Sequence, residues 1–259
     1  MIKILLHGCN GKMGQVIRGL VAADSEAEVA AGVDAFDDGH NPYPVFSHIS
    51  QCSVEADCVI DFSVSSAVDG LLDYCAEKKL PCVLCTTGLD NDQLERVRKV
   101  SESTAVLRSA NMSLGINLML RLLKKAAGIL MPAGFDMEIV EKHHRLKLDA
   151  PSGTALALAD SVNEEFGSEY EYVYDRTARR ERRPDKEIGI SAVRGGTIVG
   201  EHDVIFAGVD EVITFSHTAY SKAVFGKGAV QAAKFLAGKP AGMYDMSNVI
   251  DAVLNRKPD

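Results

Sequence analysis

The chain has 259 residues, of which 46% are hydrophobic and 25% are charged, with a formal net charge of -8 at pH 7. This composition is ordinary for a globular protein, and the length allows one large or two medium domains with a substantial core. The acidic balance argues against general nucleic-acid binding, which needs positive charge, and the apolar runs are too short to cross a bilayer.

One basic run, Arg176 to Lys186, is the exception to this acidic balance. It indicates a solvated loop, because runs of like charge usually form a hydrated surface. The alternative is a nucleic-acid contact, which the absence of aromatic residues for base stacking disfavours. We therefore expect small-molecule partners, with no nucleic acid and no membrane.

The first residues predict a location in the cytoplasm. Ile2 to His7 indicate a buried strand rather than a signal peptide, because no cleavage pattern follows and the run leads into a glycine turn. The six cysteines are then expected to be reduced. Cys82 and Cys85 have the spacing of a redox pair, but residues three apart on a strand point to opposite faces. We interpret them as packing residues and expect no metal, with a redox or metal role as the alternative.

The first half of the chain alternates strand-like and helical patterns. Continuous apolar strands separated by helices indicate a parallel sheet that is covered on both faces. Ser65 or Ser66 is the expected N-cap of the second helix. The predicted strands are 2–7, 28–34, 58–62, 81–86 and 105–108, and the predicted helices are 15–23, 65–79 and 90–103.

The second half of the chain has a different pattern. A strand that alternates apolar and polar residues is exposed on one face, and glycine-rich turns join the strands that follow. The last three strands are expected to be antiparallel, with turns at Gly195-Gly196 and at 208–210. The sequence thus predicts a Rossmann-like α/β domain followed by an α+β domain with a mixed or antiparallel sheet. The predicted helices are 116–130, 154–166 and 227–237, followed by a short tail, and the predicted strands are 135–142, 188–193, 197–206 and 211–219.

Gly8 to Gly14 follow the first predicted strand and open the first predicted helix. Glycines here let backbone N–H groups approach a pyrophosphate, which the helix N-terminus also favours electrostatically. Asp34 ends the second strand about 20 residues later, where a carboxylate binds ribose hydroxyls. The combination predicts a dinucleotide site, with a tight turn that binds no ligand as the alternative.

The residues after Asp34 bear on the choice of cofactor. A 2′-phosphate usually needs a cation at this place. Residues 35–38 are Ala-Phe-Asp-Asp, which are neutral and then acidic. We therefore expect a preference for NADH, while Lys12 leaves the use of NADPH open.

A second candidate site lies at 141–154, where two histidines and three cationic side chains fall within six residues. Imidazole can donate a proton near neutral pH, and Lys147 supplies a compact positive charge. Residues 151–154, Pro-Ser-Gly-Thr, indicate a helix start whose N–H groups suit a carboxylate. The pattern predicts a site that binds a small dianion and moves protons on it, with two histidines on a surface loop as the alternative.

The motif E-x-H-H-x-x-K-x-D-A-P-S-G-T-A at Glu141 to Ala155 resembles that of the 4-hydroxy-tetrahydrodipicolinate reductase family, also called dihydrodipicolinate reductase, of the bacterial and plant lysine pathway. The resemblance covers nearly the whole chain. Its other parts are Gly8–Gly14, Asp61-Phe62-Ser63, Thr86-Thr87-Gly88, Ala110–Asn117, Val199–His202 and Gly228-Ala229.

The resemblance implies a reductase of lysine and diaminopimelate biosynthesis, which reduces a cyclic imine dicarboxylate with hydride from NADH or NADPH. It implies that His143 is the proton donor and acceptor and that Lys147 is a second proton donor. His144, Gly153 and Thr154 would bind the substrate carboxylate. The implied cofactor contacts are Gly8, Cys9, Asn10, Gly11, Lys12, Met13, Asp34, Cys85, Thr86, Thr87, Ser109, Ala110, Asn111 and Met112.

The resemblance further implies a homotetramer and two domains. The dinucleotide-binding domain would comprise 1–111 and 223–259, and the substrate-binding and tetramerisation domain 112–222. The chain departs from the family pattern at Cys85, where glycine is frequent, at 62–66, and at Lys222, where many members have an arginine that can bind a carboxylate with two hydrogen bonds.

Two other functions compete with this reading. A dehydrogenase acting on an amino acid would share the two domains, but the double histidine and residues 152–154 argue against it. A non-enzymatic sensor of the NADH/NAD balance would need only the glycine turn, and it leaves His143 and Lys147 unexplained.

Overall fold

The structure is a computed structural model, and it describes residues 1–37 and 39–254. Asp38, which belongs to the acidic run after Asp34, lies outside the described residues. The last five positions of the predicted domain segment 223–259 also lie outside them. Within the described residues, no helix is both long and apolar enough to cross a membrane.

The chain forms two compact units. Unit 1 comprises Met1–Leu114 together with the C-terminal segment from Ala223, and unit 2 comprises Gly115–Lys222. The binding roles expected for the two predicted domains remain predictions at this point.

The elements alternate in the first half of the chain and change to longer strands in the second half. The described strands are β1 (Ile2–His7), β2 (Ala27–Val33), β3 (Val45–Phe46), β4 (Cys58–Asp61), β5 (Cys82–Leu84), β6 (Ala105–Leu107), β7 (Asp136–His143), β8 (Glu171–Val173), β9 (Glu187–Arg194), β10 (Gly200–Ala207), β11 (Val212–Ala219) and β12 (Gly242–Tyr244). The described α-helices are α1 (Lys12–Ala22), α2 (Ser65–Lys78), α3 (Asn91–Ser101), α4 (Leu114–Leu130), α5 (Gly153–Asn163), α6 (Ala223–Leu236) and α7 (Met246–Leu254).

Unit 1 is built on a parallel sheet with the strand order β12-β6-β5-β4-β1-β2-β3. Its central strands are buried on both faces. In β1, Ile4 and Leu6 pack in the core that includes α1, α6 and α7, whereas Leu5 packs in the core that includes α2 and α3. This arrangement confirms the predicted Rossmann-like parallel sheet covered on both sides.

Unit 2 is built on a mixed sheet with the strand order β11-β10-β7-β9-β8. β10 is antiparallel to both β7 and β11, while β9 is parallel to β7 and β8. Met137, Ile139 and Phe206 lie on one face of the sheet and pack in a core with residues of α4 and α5. The mixed sheet of the second domain is therefore confirmed.

The prediction that the last three strands are all antiparallel is wrong for β9. β7 lies between β9 and β10, so the turn at Gly195-Gly196 does not join neighbouring strands. A glycine pair predicts a turn but not the strand that the chain joins next, and β9 instead pairs in parallel with β7 after α5 and β8. The second predicted turn is confirmed, since the Gly208 N–H donates to the Glu211 carbonyl and closes the β10–β11 pair.

Two other local predictions need correction. The N-cap of α2 is Val64, which makes no side-chain capping bond, and not Ser65 or Ser66. The predicted short tail contains β12 and α7.

The basic loop is largely exposed, in agreement with the predicted solvated loop. Two of its arginines also form ion pairs, since Arg176 and Arg183 both pair with Glu138 on β7 and Arg183 pairs with Asp136.

We predict opposite effects of alanine at two helical glycines of unit 1. A Cβ at Gly228 in α6 would lie 1.6 Å from the Met112 carbonyl oxygen, whereas a Cβ at Gly19 in α1 meets nothing within 4 Å. Gly228→Ala is expected to lower the free energy of unfolding by about 1–3 kcal/mol through overpacking. Gly19→Ala is expected to raise it by about 0.5–1 kcal/mol. Thermal and urea denaturation check both variants, and equal stability of the two would contradict the packing described.

Candidate active site

The turn between β1 and α1 brings backbone close to backbone. Gly8 has φ +80°, and a Cβ there would lie 2.6 Å from the Phe62 carbonyl oxygen. A Cβ at Gly14 would lie 2.2 Å from the Gly8 carbonyl oxygen. Gly11 is the N-cap of α1 and provides no side-chain cap. The turn therefore leaves the first N–H groups of α1 without a side-chain cap, the arrangement that a pyrophosphate needs.

Asp34 lies next to this turn at the end of β2. Its carboxylate accepts hydrogen bonds from the Asn10 N–H at 2.9 Å and from the Phe36 N–H at 3.2 Å. The Asn10 side-chain amide donates to the Phe36 carbonyl oxygen at 2.6 Å. Because each carboxylate oxygen has a second lone pair, Asp34 can still accept bonds from ribose hydroxyls.

A cleft of about 640 Å³ adjoins the turn, and its lining includes Gly8, Asn10, Gly11 and Asp34. Phe36 and Val64 also line it, and their side chains are 69% and 64% exposed, respectively. Exposed apolar side chains beside a polar turn suit a ligand with one flat apolar part and one anionic part. The residues present therefore fit a dinucleotide.

Two cysteines among the predicted cofactor residues are packing groups. Burial raises the pKa of Cys9 to about 12, with the nearby Asp34 carboxylate adding to the effect. Burial also raises the pKa of Cys85 well above its usual value. Cys82 and Cys85 belong to cores on opposite faces of the sheet, as their spacing predicted. At neutral pH both Cys9 and Cys85 are therefore protonated thiols.

A buried carboxylate to which sequence reasoning assigned no role organises the next loops. Asp61 ends β4 and accepts from the hydroxyls of Thr86 and Ser63, each at 2.6 Å, and its Oδ1 lies 2.8 Å from His7 Nδ1. This links the carboxyl ends of β1 and β4 to the segment after β5. The signal in the sequence was an acid that directly follows an apolar run, a position at the ligand-binding edge of a parallel sheet.

The remaining predicted cofactor residues follow strand ends of the same sheet. Thr87 is exposed after β5, and residues 109–111 follow β6, where the Asn111 side chain accepts from the Ser113 N–H at 2.8 Å. Lys12 is exposed and Met13 is half-buried at the start of α1. Met112 is buried in the core. Since carboxyl ends of parallel strands share one edge, the fold gathers the residues after β1, β2, β5 and β6 there.

In unit 2, His143 is held by a carboxylate on its own strand. Glu141 is fully buried, and its Oε2 lies 2.6 Å from His143 Nδ1. Arg194 donates two hydrogen bonds of 2.7 Å to the two oxygens of Glu141. The Ser152 N–H also donates to Glu141, at 2.9 Å. Burial raises the pKa of Glu141, but the hydrogen bonds from Arg194, His143 and Ser152 outweigh it and the pKa is lowered.

His202 on β10 completes this cluster. Its ring lies 5.2 Å from the His143 ring, edge to face, and its Nε2 lies 3.0 Å from Ser152 Oγ. Ser152 is the N-cap of α5, because its hydroxyl oxygen accepts from the Ala155 N–H. Burial, together with the neighbouring His143, lowers the pKa of His202 to about 4. His202 is therefore neutral at physiological pH.

The loop after β7 carries the other predicted substrate residues. His144 is half-buried, and Lys147 pairs with Asp149 at 2.8 Å, which lowers the pKa of that carboxyl. Gly153 opens α5 and is exposed, and a Cβ there would meet nothing within 4 Å. Thr154 follows it in the first turn of α5. The fold thus brings His143 and the start of α5 together through Glu141.

Sequence reasoning did not assign roles to Glu141, Arg194 or His202. One signal was available for Glu141. Alternate residues of β7 share one face, and Glu141 follows the buried Ile139 on that face. A carboxylate in such a position needs donors. Arg194 on β9 and His202 on β10 could not be identified as its neighbours from the sequence. Local patterns do not predict which strands pair across more than 50 residues.

The chain combines a parallel-sheet unit, with a glycine turn and an acid at the end of β2, and a mixed-sheet unit with a histidine–carboxylate cluster. This combination defines a pyridine-nucleotide-dependent oxidoreductase. Comparison with known proteins gives the particular family. The N-terminal model of dihydrodipicolinate reductase matches residues 2–112, and the C-terminal model matches residues 115–250. The chain belongs to the dihydrodipicolinate reductase family, which confirms the resemblance.

Individual relatives agree with this assignment. The chain is 52% identical over 250 residues to the 4-hydroxy-tetrahydrodipicolinate reductase of Caldanaerobacter subterraneus, covering 96% of this chain and 98% of that protein. It is 48% identical over 255 residues to the enzyme of the same name from Clostridium tetani, covering 98% of both. A dipicolinate-bound dihydrodipicolinate reductase from a Paenisporosarcina species matches with a TM-score of 0.79 at 25% identity, covering 95% of this chain and 97% of that one. The chain is therefore a reductase of lysine and diaminopimelate biosynthesis.

Proposed function

We propose that the protein reduces 4-hydroxy-tetrahydrodipicolinate to tetrahydrodipicolinate in the cytoplasm, with loss of the 4-hydroxyl group as water and with NADH as the preferred cofactor. The observation that carries this proposal is the cluster in unit 2. It combines an imidazole oriented by a buried carboxylate with an open helix start, and so provides a proton donor beside a place for a carboxylate. The high identity to reductases of this name supports the choice of substrate.

Unit 1 supplies the cofactor site. Residues 8–13 would hold the pyrophosphate, and Asp34 would accept bonds from the ribose hydroxyls. Cys85, Thr86, Thr87 and residues 109–112 would hold the nicotinamide end. The side chains of Cys85 and Met112 pack against the core, so these two residues would contribute through their backbone. When bound, a reduced nicotinamide supplies the hydride.

The start of α5 and the loop before it would hold the dianionic substrate. The N–H groups of Gly153 and Thr154 lie at the positive end of the helix, where a carboxylate is favoured. His144 adds a donor from the loop. The exposed Gly153 presents backbone without a side chain, so a carboxylate can approach it closely.

His143 would deliver the proton that the reduced ring needs. Its Nδ1 faces Glu141, so its Nε2 is the nitrogen available to a substrate. Lys147 would be the second proton donor, and its ammonium also offsets the charge of the dianion. After the transfer, water can return the proton to the imidazole.

The catalytic roles predict a specific pattern of kinetic defects. His143→Ala and Lys147→Ala are each expected to lower kcat about 100-fold or more, because each loses a positioned acid. His144→Ala is expected mainly to raise KM, because its role is binding. The assay follows loss of nicotinamide absorbance with substrate formed from pyruvate and aspartate semialdehyde. Lys125→Ala, at an exposed position of α4, is the control. Wild-type turnover in both the His143 and the Lys147 variants would falsify the assigned roles.

Cofactor preference follows from the charge beside the ribose. The Asp34 carboxylate repels a 2′-phosphate, so kcat/KM is expected to be higher with NADH than with NADPH. Ala35 is exposed beside Asp34, and Ala35→Arg is expected to raise kcat/KM for NADPH by supplying a cation. Steady-state kinetics with both cofactors check this. A strong wild-type preference for NADPH would show that the charge argument is wrong.

We also propose that the protein is a homotetramer assembled through unit 2. The face of its sheet opposite the α4–α5 core carries Val193, which is 45% exposed, and Val212, which is 62% exposed, with Ile205 between them on β10. Exposed apolar side chains on a sheet favour association. Sedimentation at micromolar concentration is expected to show a tetramer, and Ile205→Arg is expected to dissociate it. Val209→Arg, in the exposed β10–β11 turn, should leave it intact. A monomeric wild type would rule this assembly out.

A further inference from the structure

We propose that Glu141 and Arg194 are positioning residues. Their hydrogen bonds set the tautomer of His143 and also fix the start of α5. This inference rests on the proposed role of His143 as proton donor. It assigns a task to two residues for which neither the motif nor the family resemblance gave one.

The hydrogen bonds of Glu141 carry the first step of the argument. Arg194 binds both carboxylate oxygens, His143 Nδ1 lies 2.6 Å from Oε2, and the Ser152 N–H donates to Oε1. Arg194 also donates to the Asp149 carbonyl oxygen at 2.6 Å. The pair therefore binds both ends of the segment that leads into α5, as well as the imidazole.

The charge of Glu141 decides which imidazole nitrogen carries the proton. The lowered pKa of Glu141 means that the carboxylate is ionised at neutral pH and has no proton to donate. His143 Nδ1 must therefore be the donor in this bond. The neutral imidazole is held as the Nδ1–H tautomer, and Nε2 is the atom that carries a transferable proton in the imidazolium.

Gly200 keeps the Nε2 side of the ring accessible. A Cβ at Gly200 would lie 3.1 Å from His143 Nε2, so a side chain there would crowd this nitrogen. The ring thus has one nitrogen committed to Glu141 and the other beside a glycine. This is the arrangement that a histidine needs in order to pass a proton to a ligand.

The groups around His143 come from each element packed against it. Arg194 on β9 lies opposite His143 in the register of β7 and β9, and the neutral His202 faces His143 from β10. Lys147 in the following loop is paired with Asp149. The charges closest to the imidazole are therefore Glu141, which favours imidazolium, and Arg194, which disfavours it.

This arrangement predicts opposite shifts in the pH dependence of two variants. A general acid is active when protonated, so activity falls as pH rises through its titration. Glu141→Gln leaves Arg194 unopposed and should move the alkaline limb of kcat/KM to lower pH. Arg194→Gln should move it to higher pH. Glu141→Gln should also lower kcat/KM about 10–100-fold at neutral pH, the usual effect of losing a partner that orients a functional histidine.

Glu138→Gln is the matched control, because Glu138 lies on the opposite face of the same strand and pairs with Arg176 and Arg183. The alkaline limb of kcat/KM for this variant should coincide with that of the wild type. A merely structural role for Glu141 and Arg194 would lower the rate in both variants without moving their limbs in opposite directions. Limbs that stay in place, or that move together, would overturn the proposal.

A second measurement needs no turnover. In the full chain labelled with ¹⁵N-histidine, the ring shifts of His143 above its titration should show the Nδ1–H tautomer. Glu141→Ala should convert it to the Nε2–H tautomer, and Glu141→Gln, whose amide oxygen still accepts, should retain it. An Nε2–H tautomer of His143 in the wild type would contradict the proposal, and this result does not depend on whether a variant folds. If His143→Ala instead turned over normally, the proposed function would fail while the ring shifts still decided the positioning role.

Discussion

The carboxylate of Glu141 must find hydrogen-bond donors, because it is fully buried and an ionised group away from water is costly unless it is paired. Arg194, His143 and Ser152 supply those donors from three different elements. The hydrogen bond to the carboxylate fixes the position of each donor. The same groups orient an imidazole and hold the first turn of α5. The need to neutralise one buried charge thus produces much of the order that the site in unit 2 requires.

Unit 1 uses carboxylates in a similar way at the ends of its strands. Asp34 accepts from the backbone of the glycine turn and of the segment after β2, and Asp61 accepts from Ser63 and Thr86. Parallel strands bring such acids to one edge of a sheet, where loops have few backbone partners of their own. Side-chain oxygens therefore take over the hydrogen bonds that would otherwise be missing.

The sequence was most informative where a pattern was long or locally complete. Buried strands such as β1 and β4 and the turn from Gly8 were predictable because apolar runs and glycines act over a few residues. β3, β8 and β12 have only two or three residues each, too few for periodicity to distinguish them from loops. The pairing of β9 with β7 depends on a crossover through α5, which no turn residue encodes.

The candidate site shows the same division. His143 and Lys147 stand in one short motif, so a sequence pattern finds them together. Arg194 and His202 lie on strands that reach His143 only through the sheet, 51 and 59 positions further along the chain. Both residues reach His143 through the group that includes the Glu141 carboxylate. The only local indication of this group was a charged residue on the buried face of β7.

The hydroxyl of Thr86 carries a restriction on whatever binds beside it. Its proton is donated to the Asp61 carboxylate at 2.6 Å, and a hydrogen bond to an ionised acceptor is stronger than one to a neutral acceptor. Toward a visiting molecule the Thr86 oxygen can therefore offer only a lone pair. A ligand group with an amide N–H or a hydroxyl hydrogen can donate to the Thr86 oxygen, whereas a carbonyl or anionic oxygen is repelled by it.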